Sequence, residues 1–250
     1  MKNKILYAII SLFFIPSIIL AFRGYDEKNT AEKIWLEVDW PAKKSNYYIE
    51  IDSEGRFMAK EEKNKKIFIR EGQIKKMYAK DFFRETKNSE IVTRQNPDES
   101  KTLFYNGETL KISTYINGEL RRAEAPMKNF SDSFKFAFSE MKKEIFKTPS
   151  QNKYSAFLTA IPLTGKLLGD FESKGSRVED LKIIEIKKLK SQTKIFEAVN
   201  FPYRLIPLKN DEEISEISDF IHKESLPGMK SLFYIATTRG NFQCSVIEPR

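Results

Sequence analysis

The chain has 250 residues, of which 40% are hydrophobic, 31% charged and 13% aromatic, with a formal net charge of +8. This is enough apolar material for a folded core, and ten Gly with ten Pro exclude a collagen-like or linker-dominated chain. The single Cys excludes an intramolecular disulfide framework and any multi-Cys zinc or iron–sulfur cage, and the single His excludes two-His and three-His metal sites.

Met1-Lys2-Asn3-Lys4 carries two positive charges and no acid, and Ile5 to Ala21 then runs without an ionisable side chain other than Tyr7. The chain turns abruptly polar at Phe22-Arg23-Gly24-Tyr25-Asp26-Glu27-Lys28. A positive n-region, an apolar h-region and a small terminal residue form the layout of a secretory signal peptide, here residues 1–21 with a cut after Ala21. Pro16 suits it by breaking a helix shortly before the cut, whereas Ile19 is bulkier than such sites prefer. The competing reading is a retained N-terminal anchor, for which the apolar run is slightly short of the roughly 20 residues a span needs. Both place the bulk of the chain outside the cytoplasm, periplasmic or secreted in a bacterial-type cell. Membrane contact is expected only through residues 5–21, and only if they are uncleaved.

Loss of Lys2 and Lys4 lowers the net charge from +8 to +6. Lys outnumbers Arg by 32 to 11, and the doublets Lys65-Lys66, Lys75-Lys76, Lys142-Lys143 and Lys187-Lys188 are scattered among acids. A nucleic-acid binder shows a concentrated basic stripe with Arg for bidentate contacts, so no nucleic-acid partner is expected. A protein or an envelope surface is the partner expected instead, the scattered lysines allowing weak attraction to anionic polymers or headgroups.

Residues 22–33 read as a polar tether, and Ile34 to Trp40 as a strand ended by Pro41. Tyr47 to Asp52 alternates apolar and acidic residues, and Ser53-Glu54-Gly55 turns it into Arg56 to Ala59, a hairpin followed by a strand at Lys66 to Arg70. Ile74, Met77, Tyr78 and Phe82 then follow the stripe of an amphipathic helix. Asn106-Gly107 and Asn117-Gly118 each sit between apolar-rich runs and predict a three-stranded meander through type I′ turns. Phe134, Phe138, Met141 and Ile145 mark a helix from about Ser131, stopped at Thr148-Pro149. Beyond Pro149-Ser150-Gln151-Asn152 the pattern predicts strands at Tyr154 to Leu163 and Leu181 to Leu189, and a short helix at Thr193 to Val199. A helix capped by Asn210 and Glu213 with Ile214, Ile217 and Ile221 on its apolar face comes next, then a closing hairpin around Thr238-Arg239-Gly240-Asn241. Meandering strands with few, separated helices predict an α+β fold of two small domains, 34–148 and 149–250. Each is an antiparallel meander sheet packed by one or two amphipathic helices.

Candidate chemistry is sparse. Cys244 and His222 are the one Cys–His pair available for thiolate catalysis; a buried core Cys and a surface helix His are the expectation, the catalytic pair the alternative. Glu37/Asp39 and Glu50/Asp52 are i,i+2 pairs that each project from one sheet face; a solvated face is the expectation, an acid–base dyad the alternative. No G-x-S-x-G, P-loop, G-x-G-x-x-G or EF-hand pattern occurs, so no cofactor and no metal site is expected. Trp40, Tyr47 and Tyr48, near Trp35, are the candidate binding residues, since Trp and Tyr present flat amphipathic platforms, although core packing is the favoured reading of the cluster, above all for Trp35. The resulting expectation is an exported, non-catalytic interaction or binding module. Alternatives are a small hydrolase built on a carboxylate pair or on Cys244/His222, and a ligand- or glycan-binding module with an aromatic platform.

Overall fold

The computed structural model describes residues 32–63, 66–93, 105–151, 154–229 and 231–248; the apolar segment 5–21 and most of the 22–33 tether lie outside them. The fold is α+β, built on two antiparallel sheets. The first has six strands in the order β4-β3-β2-β1-β5-β6, namely β1 (Lys33–Trp40), β2 (Ser45–Asp52), β3 (Arg56–Lys63), β4 (Lys66–Gln73), β5 (Thr109–Ile116) and β6 (Glu119–Pro126). The register sets Ile34 opposite Ile51, Leu36 opposite Ile49 and Val38 opposite Tyr47. Period-two alternation therefore gathers these side chains, with Leu110 and Ile112, on one face.

That face is covered by α1 (Lys76–Asn88) and α3 (Asp132–Lys147), with the short α2 (Glu90–Thr93) beside them. Phe82 of α1 meets Phe134 and Phe138 of α3 at ring-centroid distances of 5.6 and 5.9 Å. Ser131 caps α3 by accepting a hydrogen bond from the Phe134 N–H at 3.2 Å. In α1 the buried stripe is Ala79, Phe82, Phe83 and Thr86, and Met77 is exposed. The helix starts only at Lys76, so Ile74 belongs to the preceding loop, and the face is rotated from the one expected.

Asn117 and Gly118 have φ of 52° and 78°, the two positive values of a type I′ turn, and join β5 to β6. The expected meander stops there. β1 occupies one edge of β5 and β6 the other, leaving no edge for a strand through Tyr105. The remainder of that expected strand, 102–104, lies outside the described residues. The Asn106 carbonyl instead accepts from the Ala42 N–H at 3.3 Å.

The second sheet runs β8-β7-β11-β10-β9, with β7 (Ala156–Pro162), β8 (Ile206–Leu208), β9 (Gly228–Met229), β10 (Leu232–Thr237) and β11 (Gly240–Ile247). Its helices are α4 (Lys166–Ser173), α5 (Ile186–Ser191), α6 (Thr193–Asn200) and α7 (Asp211–Glu224). Leu189, Ile195, Val199, Ile217 and Phe220 pack with Leu158, Phe233, Ile235 and Phe242 into a second core. Asn210 Oδ1 accepts from the Glu213 N–H at 3.0 Å, capping α7 as its sequence indicates. The expected strand at Leu181 to Leu189 is not formed. Only Lys182 to Ile184 pair with the β10 backbone, through the Ile183–Ala236 bridge and an Ile184 N–H to Ala236 carbonyl bond of 2.8 Å. α5 takes over from Ile186, where Ile186 and Leu189 are spaced for a helix and lysines fill its outer face. Among the described residues no helix is long and apolar enough to cross a membrane.

The two sheets meet through the face of the first that its helices leave open. Trp35, Tyr48, Met58 and Ile69 pack there against Phe157, with Tyr154, Phe201, Tyr203 and Leu205 around them. Trp35 Nε1 donates to the Pro202 carbonyl at 3.1 Å, and the Gln151 N–H donates to the Ile69 carbonyl at 2.6 Å.

Gly55 shows how tightly the β2–β3 turn is held. Its φ is +86°, and an added Cβ would lie 2.6 Å from the Ile74 carbonyl oxygen. Gly55→Ala is expected to cost about 1–3 kcal/mol. The check is a lower urea midpoint with an unchanged slope.

Candidate functional site

The three aromatic candidates are not brought together on one open surface. Adjacent positions on a strand face opposite ways, so Tyr47 enters the helix-covered core while Tyr48 enters the seam between the sheets. Tyr47 Oη donates to Glu108 Oε1 at 3.1 Å and accepts from Lys142 Nζ at 2.7 Å, with its ring edge-on to Phe146. Burial first, then the Glu108 carboxylate, raises its pKa, so it remains a neutral phenol. Tyr48 Oη accepts from the Leu205 N–H at 3.3 Å. Trp40 alone is half-exposed, with the Lys43 ammonium 3.6 Å from its ring centroid.

The carboxylates divide. Glu37 stays half-exposed and accepts from Asn46 Nδ2 at 3.1 Å. Glu50 and Asp52 are buried, contrary to the solvated face expected of them, because the second half of the chain covers the part of the sheet where Glu50 stands. Arg204 grips Glu50 with two parallel bonds, Nε to Oε2 at 2.5 Å and Nη2 to Oε1 at 2.6 Å. Its remaining Nη1 reaches Glu197, and Lys33 Nζ lies 3.1 Å from Glu50 Oε1. Burial alone would raise the Glu50 pKa, but the Arg204 charge and its hydrogen bonds, helped by Lys33, outweigh it and hold the carboxyl below its ordinary range. Asp52 serves the turn, its Oδ1 accepting from the N–H groups of Glu54 and Arg56 at 2.9 and 3.0 Å.

Cys244 is wholly buried in the second core, and burial pushes its thiol well above the ordinary value, whereas a nucleophile needs a lowered one. His222 is exposed in the last turn of α7. Cys244 is accordingly expected to react with a thiol reagent such as Ellman's only as the protein unfolds. A fast stoichiometric reaction of the native protein, with no dependence on urea, would contradict that placement.

A cleft of about 480 Å³ opens at the seam. Tyr115, near the end of β5, supplies its wall from the first sheet. The rest comes from Pro162 at the end of β7 with Leu163 and Thr164 after it, from Val199 and Asn200 at the end of α6 with Pro202 beyond, and from Arg239 to Phe242 of the closing hairpin. Its volume falls in the usual range for small-molecule sites. Asn200 is the hub: its carbonyl accepts from Tyr115 Oη, and its Oδ1 accepts from Arg239 Nη1. The Asn241 carbonyl accepts from the Leu163 N–H at 2.7 Å, tying the hairpin to the end of β7. Burial raises the Tyr115 pKa against the opposing charge of Arg239, so this hydroxyl is also neutral and donates.

The lining has apolar walls from Val199, Leu163, Phe242 and the prolines, two amides, one hydroxyl-bearing Thr, one neutral phenol and one cation. That inventory suits holding a ligand and supplies no carboxylate, thiol or imidazole for acid–base or covalent work. Sequence reading located the hairpin loop that carries Arg239 but not its meeting with Asn200 and Tyr115, which no local pattern announces. No protein-family model matches this chain, and no curated protein matches it.

Proposed function

We propose that this chain is an exported binding module that works by holding a ligand in the seam cleft, outside the cytoplasm, without catalysing a reaction on it. The observation that carries the binding reading is the cleft itself, where a solvent-facing Arg239 stands among apolar walls and amides. Export rests on the charged, apolar, then polar layout of residues 1–28. A ligand presented by a protein or by an envelope surface fits this reading, because the cleft is open to solvent on the hairpin side.

Two measurements test the two halves of the proposal. N-terminal sequencing of protein recovered from cell fractions is expected to find a mature start near Phe22, or the full chain in the membrane fraction; full-length chain free in cytosol would refute export. A ligand-observed NMR screen of small fragments is expected to give hits on the wild-type chain that vanish in Thr164→Trp. Thr164 is an exposed rim residue, so a Trp there fills the cleft without disturbing the core. Hits that survive Thr164→Trp unchanged would place binding elsewhere.

A further inference from the structure

Resting on the cleft reading above, we infer that the cleft takes a carboxylate carried on an apolar body, with Arg239 as the residue that binds it. Arg239 is the charged side chain among the lining residues, and no Asp or Glu lies among them. Its setting differs from that of the other paired arginines. Arg56, Arg70, Arg84, Arg121 and Arg204 each bridge to a carboxylate, and Arg122 lies over the Tyr203 ring. Arg239 has instead the neutral oxygen of Asn200 on Nη1.

That contact positions the guanidinium without neutralising it. Asn200 is in turn held by Tyr115 through its carbonyl, so the hydrogen bonds run from the first sheet to the cation. With Nη1 anchored, the Nε–Nη2 edge keeps two parallel N–H donors, the fork that matches a carboxylate bidentately. A negative charge on Tyr115 would compete for the cation, but its burial keeps the phenol protonated.

The remaining walls define what the carboxylate is attached to. Val199, Leu163, Pro162, Pro202 and Phe242 offer apolar surface within about 480 Å³, room for a ring or a branched aliphatic group. A single guanidinium balances a monoanion. Inorganic phosphate has no apolar part and would leave the walls unused, and its doubly charged form would leave one charge unmet.

The test uses ¹⁵N-labelled full-length chain titrated with benzoate, benzamide and inorganic phosphate, read at the backbone amides of Asn200, Arg239, Gly240 and Asn241. Benzoate is expected to shift these amides saturably, with benzamide weaker by roughly tenfold or more, the scale of losing a charge-assisted fork, and phosphate weaker too, because it keeps the fork but leaves the apolar walls uncovered. Arg239→Gln, an exposed hairpin-loop change that spares the core, is expected to lose the benzoate response, and Arg239→Lys to keep only part of it. Benzamide or phosphate binding as tightly as benzoate, or Arg239→Gln binding benzoate like the wild type, would overturn the carboxylate assignment while leaving the cleft a binding site. No response of these amides to any of the three probes would overturn both.

Discussion

Arg204→Met is expected to destabilise the protein by about 3–5 kcal/mol, the cost of removing one partner of a buried ion pair. The size follows from what is left behind. Glu50 is 8% exposed and sits under the second half of the chain, where the Lys33 ammonium at 3.1 Å remains but does not replace two parallel bonds of 2.5 and 2.6 Å. Replacing both partners, as in Glu50→Leu/Arg204→Met, removes the stranded charge together with its desolvation cost. The double variant is therefore expected to recover most of the loss, and a double-mutant cycle by urea unfolding measures the coupling. The same pair sets an acid limit. The folded-state pKa of Glu50 is lowered from 4.5, so its contribution is fully present above the unfolded carboxylate value and is lost as pH falls through the lower folded one. Wild-type stability is expected to fall on acidification below about pH 4.5. In Arg204→Met that fall shrinks, because burial then dominates and favours the protonated acid, with Lys33 as the cation that remains.

Trp35→Ala is expected to cost a comparable amount, about 3–5 kcal/mol, through cavity formation in the seam. Trp35 is 2% exposed, with the rings of Tyr115 and Phe201 at 6.0 and 6.3 Å and its indole N–H on the Pro202 carbonyl. Alanine leaves those rings unsupported and strands the carbonyl, whereas Trp35→Phe keeps a ring and should lose less. Tyr115 and Pro202 also line the cleft, so the alanine variant should weaken fragment binding even where it remains folded. Circular dichroism in urea and the fragment screen report the two effects separately. A variant as stable as the wild type would contradict the seam packing.

Much of the local architecture was legible in the residues. The alternation of Tyr47 to Asp52, the Asn117-Gly118 turn, the Ser131 and Asn210 caps and the closing hairpin all reflect short-range preferences: side-chain period, positive φ and unsatisfied helix-end N–H groups. Misreadings came where two local patterns coincide. The run from Leu181 to Leu189 fits both strand and helix spacing, and only the edge of β10 and the second core decide that it bends after Ile184. Likewise Tyr105, the described end of the apolar run before Asn106-Gly107, joins no strand, because β1 from far upstream and β6 hold both edges of β5.

The candidate site was less legible for a different reason. An acidic residue alternating with apolar ones looks the same on a wet sheet face as on a face sealed by an arginine 154 residues away. A strand's pattern reports which side chains share a face, not what lies opposite. By itself, then, the sequence determined the α+β class, the order of most elements, their caps and turns, and the absence of multi-Cys and multi-His chemistry. Tertiary structure alone decided that the second face of the first sheet is buried, that Glu50 is a partner of Arg204, and that Tyr115, Asn200 and Arg239 meet at one cleft. Such contacts depend on closing long loops, whose ends are chosen by the packing of whole sheets and not by any interaction between neighbours in the chain.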